Sequence, residues 1–432
     1  MFKILKQLFT KKNKDIRKRL YFTIAVLTLF VVGTTIEVPG TQSITKNLGF
    51  LELLNVMGGG ALKNFSIFAL GVSPYITASI IIQLLEMDIV PYFSDLAKQG
   101  HTGQQKLNQI TRYVGIVFAF IQGYAMSYAF LGKSVGVLGY LEVALIMTAG
   151  TAFLLWLGDQ VTQKGIGNGI SLMIMTGILI SLPNMMKTAF TTLVDFGTTK
   201  TTWVGLASFL LFLIVYLLVI VGVIYEEGAE RRISIQYANK STASLGKQTY
   251  MPIKINSAGV MPVIFASSLL SVPTTIAQFI NNEGFTKFTE TYLDYTKPFG
   301  FILFVILIFF FAYFYTFIQM KPDQMAKNLQ DNGGYVPGIR PGDATTKYFT
   351  QVLSRLTIVG ALFLTILAAL PIIVNTVTDL PSTVSLGGTG LLIVVGVCIE
   401  TYKQLESSLL SRGYSINKNN RRRVVRKWKM LF

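Results

Sequence analysis

Residues 50–86 read FLELLNVMGGGALKNFSIFALGVSPYITASIIIQLLE, and this stretch decides the architecture. Two apolar segments are parted by the Gly58-Gly59-Gly60 triplet, then by Gly71 and Pro74. A helix crossing a bilayer needs ~20 mostly apolar residues in succession. Here glycine and proline stand inside the apolar stretch, where they weaken or end a helix. Such broken backbone is tolerated at membrane depth only where it lines a cavity or lies buried in protein. Beyond the break, Val72, Ile76 and Ile80 recur every four residues and share one helix face. On spacing alone, ordinary helix packing accounts for that face.

The composition points to a membrane. Of 432 residues, 51% are hydrophobic and only 14% charged, where a soluble chain carries about 25%. The mean hydropathy is +0.53. The net charge of +17 is concentrated at the two ends and in certain loops. That pattern indicates membrane topology rather than a nucleic-acid groove. One cysteine, Cys398, excludes an internal disulfide and reads as a small buried hydrophobe. The one histidine, His101, falls in a polar loop, so a multi-ligand metal site and a histidine-based catalytic site are not expected.

Residues 1–19 hold eight Lys or Arg and form a basic cytoplasmic N-terminus. The apolar run from Leu20 to about Val38 imitates a signal peptide but has no small-residue cleavage site after it, so it reads as a retained first helix. Nine more helices follow. The second lies in the broken stretch. The others fall near 111–131, 138–158, 168–186, 203–225, 255–280, 298–319, 349–374 and 386–407. Pro262 and Pro273 are expected kinks in the 255–280 helix. The fold class is an all-α membrane protein of ten transmembrane helices. Both termini then lie on one side, which the basic tail 408–432 makes the cytoplasm. This topology places most of the 38 lysines and arginines inside. Five helices per half requires that related halves be inverted in the membrane. The first half is 20–186, an outer loop spans 187–202, and the second half is 203–407, with cytoplasmic loops at 226–254 and 320–348.

Several long motifs carry more than spacing. GVSPYITASIIIQLL follows the break, LGDQVTQKGIGNGISLMI covers 157–174, and INSAGVMPVIFASSLLSVP covers 255–273. Gly165, Gly167 and Gly169 do not make a nucleotide loop, because no strand precedes them. They read as a turn leading into a helix with Asn168 as N-cap. The loop KPDQMAKNLQDNGGYVPGIRPGDATTKY brackets Ile339-Arg340 with Gly-Gly and Pro-Gly pairs, which make a rigid tip. Together with GGTGLLIVVGV (387–397) and LESSLLSRGY (405–414), these motifs closely resemble the SecY/Sec61-alpha family of protein-conducting channels over nearly the whole chain.

The resemblance implies a clamshell of two inverted halves hinged at 187–202, with a plug at about 50–66 ahead of a gate helix. It implies a pore ring of Val72, Ile76, Ile174, Ile178, Ile264 and Ile393, and a lateral gate including Thr77, Ile80, Ser268 and Val272. Arg231, Arg232, Ile339 and Arg340 correspond to partner-binding loops. The implied partners are the SecE and SecG subunits, the ATPase SecA, the ribosome, signal peptides with their precursor chains, and membrane lipid. The implied location is the bacterial cytoplasmic membrane. No cofactor and no enzymatic activity are expected. An apolar ring fits such a channel because it dewets when empty and closes around any passing chain without preferring particular sequences.

Two other readings remain. A secondary transporter also uses broken helices and inverted halves, but it usually carries ionisable groups at the midplane. Here Glu37, Glu142 and Glu400 fall near helix ends. An accessory SecY paralogue for specialised substrates is the other alternative, which the intact loops disfavour.

Overall fold

The computed structural model describes residues 14–41, 55–56, 58–86, 90–131, 136–194, 199–237, 249–280, 283–294, 297–378 and 390–409. The basic segment 1–13, part of the predicted plug (50–54 and 57), residues 386–389 and the tail from 410 lie outside them.

The chain is mostly helical. In order come α1 (Lys14–Thr35), α2 (Ser73–Leu85), α3 (Pro91–Lys98), α4 (His101–Phe130), α5 (Gly136–Lys164), α6 (Gly169–Leu193) and α7 (Thr199–Gly228). Strands β1 (Glu230–Tyr237) and β2 (Thr249–Lys254) precede α8 (Met261–Ile280), α9 (Glu283–Tyr292), α10 (Pro298–Met320) and α11 (Pro322–Asp331). Strand β3 (Gly334–Tyr335) and α12 (Asp343–Thr378) follow, and α13 covers 390–409. Among the described residues, α4, α5, α6, α7, α10 and α12 are long and apolar enough to cross a membrane, while α2 and the first half of α8 are shorter apolar helices.

Three features differ from the sequence reading. His101 is the first residue of α4, capped by Gly100 at φ +69°, and not a loop residue. Pro262 is the second residue of α8 and so starts that helix instead of kinking it; Pro273 alone lies inside. Residues 187–193 continue α6, because Met185 and Ala189 stay buried against Phe209, Phe212 and Tyr216 of α7.

The chain also contains a three-stranded antiparallel sheet in the order β2-β1-β3, which the all-α reading did not include. Its signal was present in Ile233-Ser234-Ile235-Gln236, where buried and exposed residues alternate with the period of a strand. Two loops that are far apart in sequence are thereby joined. Ile233, Ile235 and Ile253 bury one face against Leu329, Val336, Phe349 and Leu353. Lys321, at φ +39°, ends α10 and starts α11, which turns the chain toward this sheet.

The principal core gathers side chains from α1, α2, α5, α6, α7, α8, α10, α12 and α13. A second cluster packs 61–70 against α4 and α5.

Candidate functional site

The site begins where α1 ends. Residues 58–72 run as successive turns pinned to the end of α1: the Val38 N–H donates to the Phe65 carbonyl at 3.0 Å, and the Ile67 N–H to the Ile36 carbonyl at 3.0 Å. Phe65 holds φ +48°, a left-handed backbone that costs a non-glycine residue ~1–3 kcal/mol. Complete burial of its ring beside Val38 and Leu62 offsets that cost. Val72 caps α2, and Pro74 sits in its first turn, where its missing N–H has no helical partner to lose.

The turn at 55–60 leans on α6. The Gly60 N–H donates to the Asn55 carbonyl at 2.8 Å, and the Lys63 N–H to Asn55 Oδ1 at 2.9 Å. Gly59 has φ +72°, and a Cβ there would lie 3.3 Å from Gly177 Cα, so only glycine suits this approach. The start of α6 is equally fixed. Asn168 Oδ1 accepts the N–H groups of Ile170 and Ser171 at 3.1 and 3.4 Å, the N-cap expected from sequence. The glycine turn before it is tied to α5 through the Gly169 N–H and Thr162 Oγ1 (2.9 Å), and to α1 through the Ile166 N–H and Thr23 Oγ1 (3.1 Å).

These anchors aim the expected ring. Val72 at the cap of α2, Ile76 on α2, Ile174 and Ile178 on α6, Ile264 on α8 and Ile393 on α13 are all buried, and all belong to the one principal core cluster. They come from four separate stretches of chain. Gly390, at the start of α13, sits so that a Cβ would lie 3.3 Å from Ile178 Cγ2. A cavity of about 590 Å³ adjoins Ile178 and Gly390 and is lined also by Asn55, Gly59, Lys63 and Lys187.

The expected gate residues divide. Ile80 and Ser268 are buried, Thr77 is half-buried with its hydroxyl donating to the Ser73 carbonyl at 3.3 Å, and Val272 is 40% exposed. α8 packs against both α2 and α4. Cys398 is exposed, not buried as its apolar surroundings suggested. Sequence neighbours report local polarity and not exposure; the Cys398 thiol lies 3.6 Å from Met175 Sδ of α6.

The sheet sets the loop arginines apart from one another. Arg232 donates to Glu230 Oε1 at 2.8 Å and its guanidinium lies 4.8 Å from the Tyr250 ring centroid. The Glu230 hydrogen bond holds the Arg232 pKa above its ordinary value. Arg231 and Arg340 are exposed, and among the described residues neither makes a salt bridge. Ile339 is half-buried against the sheet core, and its N–H donates to the Val336 carbonyl at 3.1 Å. Gly338 and Gly342, at φ +82° and +98°, flank this tip.

The SecY family profile matches residues 66–402, more than half of the chain. The protein translocase subunit SecY of Staphylococcus epidermidis is 47% identical over 429 residues, covering 96% of this chain and 99% of that protein. The chain belongs to the SecY family. Its counterpart in Staphylococcus aureus is 46% identical over 418 residues, covering 93% of this chain and 96% of the relative. Among solved structures, a protein-conducting channel aligns with a TM-score of 0.63 at 19% identity, over 91% of this chain and 92% of the other. Sec61 in a canine ribosome–channel complex aligns at 0.57 and 19% identity, with the same coverage. These similarities establish a SecY/Sec61 fold, and the chain is embedded in a membrane.

Proposed function

We propose that the chain is the channel subunit of a protein translocase, passing unfolded, signal-bearing polypeptides across the membrane and releasing transmembrane segments sideways into lipid. The observation that carries this reading is the burial of six aliphatic residues from four separate stretches in one cluster, beside the break that opens α2. Membership of a family whose relatives are named protein translocase subunits supports it. A collar of β-branched side chains makes a narrow, dry constriction with no sequence preference of its own.

In this reading α1, α2, α4, α5, α6, α7, α8, α10, α12 and α13 are ten spans, with both termini cytoplasmic. The halves are 20–186 and 203–407, hinged within 187–202 between the end of α6 and the start of α7, and the segment about 50–66 is the plug. Thr77 and Ile80 face Ser268 and Val272 across the lateral gate. Energy comes from a partner, SecA or the ribosome, acting on the joined loops that carry Arg231, Arg232, Ile339 and Arg340. SecE and SecG complete the complex in the bacterial cytoplasmic membrane.

Co-reconstitution with SecE and SecA into vesicles tests this. ATP-dependent protection of a secretory precursor from external protease is expected. Precursor that stays fully digestible would contradict the channel role.

A further inference from the structure

α9 is a ten-residue helix set between the apolar helices α8 and α10 and packed on both. Its two faces differ. Thr289 is buried, with Phe285 and Leu293 half-buried, so this side faces the protein. On the other side Phe288 is 50% and Tyr292 44% exposed, with Lys287 and Thr291 exposed alongside.

Two exposed aromatic rings on a surface helix call for an explanation, and the neighbouring contacts supply one. The Phe288 and Tyr292 ring centroids lie 5.1 Å apart, and Tyr292 meets Phe299 edge-on at 5.5 Å. Phe299 is in the first turn of α10 and begins a stripe of Ile302, Ile306 and Phe310, all more than half exposed along a helix apolar enough to span a bilayer. The aromatic patch on α9 is therefore continuous with a lipid-facing surface and sits at its end, at the level where the span enters the headgroups. Tyrosine with its hydroxyl, and aromatic rings in general, favour that zone. A short amphipathic helix lying there buries its rings among the glycerol and upper acyl groups.

We propose that α9 is an interfacial anchor, with Phe288 and Tyr292 seated in the lipid interface on the side where α8 hands over to α10. The occupant of this face is phospholipid, held by the rings and not by charge. Because α9 follows α8 within three residues and packs on it, the anchor fixes that end of α8 relative to the bilayer. This rests on the chain being membrane-embedded and not on the channel reading, so a failed translocation assay would leave it standing.

The test places single nitroxide labels at Phe288→Cys and, separately, Tyr292→Cys in the full chain with Cys398→Ser. The chain is reconstituted in vesicles of phosphatidylethanolamine and phosphatidylglycerol. Labels at Ile306 and Asn332 serve as lipid-core and aqueous references. Both α9 labels should show oxygen collisions raised several-fold over the Asn332 label relative to a water-soluble nickel complex, at a depth short of Ile306, and unchanged by high salt. Nickel accessibility equal to that at Asn332 would overturn the proposal. So would protection from both reagents, which would mean that protein covers the face. Phe288→Trp gives an independent readout: quenching by lipids brominated near the headgroup supports the anchor, and quenching by aqueous iodide alone refutes it.

Discussion

The Ser181 hydroxyl reaches the Val56 carbonyl at 3.3 Å and the Gly177 carbonyl at 3.2 Å, linking α6 to the segment that precedes α2 across 125 residues of sequence. Ser181 lies one turn beyond Ile178, so the same helix carries a proposed ring residue and holds part of the proposed plug. Gly59 against Gly177 makes the second contact of this joint. Among the described residues, a shared hydrogen bond, a close backbone approach and the packing of Val56 on the principal core hold this turn to α6.

Ser181→Ala removes the hydrogen bond, worth ~0.5–1.5 kcal/mol. The open population should rise by up to about tenfold. Single-channel recording of the reconstituted complex should show more frequent brief openings without a change in expression or protease pattern. An unaltered closed-state leak would mean that the Ser181 contact does not hold the segment.

Ile76→Asn and Ile393→Asn each put an amide into the collar. Replacing a buried isoleucine forfeits ~1.5–3 kcal/mol of burial, so a modest loss of thermal stability is expected. The amide should also wet the constriction, raising ion leak and admitting precursors with defective signals. The contrast is Leu367→Asn, which alters the same cluster on α12 outside the proposed ring. If the ring variants match it in leak and signal stringency, the six residues are only core.

Cysteines at Thr77 and Val272, with Cys398→Ser, should crosslink on oxidation and stop export, and a reductant should restore it. A disulfide requires Cβ atoms about 3.5–4.5 Å apart, so rapid closure would show that these positions approach each other. Val272 is 40% exposed and α8 touches α2, a placement that leaves this edge accessible. Normal export through a fully crosslinked channel would remove both residues from the gate.

Arg340→Glu should abolish SecA-driven export while leaving the loop fold intact. The tip shape comes from Gly338, Gly342 and the Ile339–Val336 hydrogen bond, none of which uses the Arg340 side chain. Lysine should rescue partly, because it keeps the charge and loses the planar fork. Arg231→Glu should act in the same direction, whereas Arg232→Glu should first disturb the sheet, by breaking its contacts with Glu230 and Tyr250. Translocation measured beside a protease map of the loops separates docking from folding. Full export by Arg340→Glu would exclude a docking role for that residue.

Much of this was legible residue by residue. Asn168 announced its cap because a short polar side chain after a glycine turn has few other uses. The break at Gly71 and Pro74 announced the start of α2, since backbone chemistry acts locally. What escaped depended on partners distant in sequence. The pairing of Gln236 with Tyr335, sealed by a Tyr335 hydroxyl bond to Gln236 Oε1 at 2.8 Å, joins residues 99 apart. The strand alternation of Ile233 and Ile235 was visible, but nothing local named β3 as its neighbour. Residues 187–193 look polar enough for a loop, yet Ala189 is buried against α7 and keeps them helical. Cys398 shows the reverse error, because an apolar run does not say which of its members face outward.

In the proposed channel the aliphatic collar touches the polypeptide in transit. A precursor stalled by a folded C-terminal domain should be captured with a photoreactive amino acid placed singly at Ile76, Ile178, Ile264 and Ile393, and at the exposed Ile306 and Leu218 as controls. ATP-dependent crosslinks to the stalled chain are expected from the four ring positions, and lipid adducts alone from the controls. Crosslinks at Ile306 or Leu218 with none from the ring would contradict it.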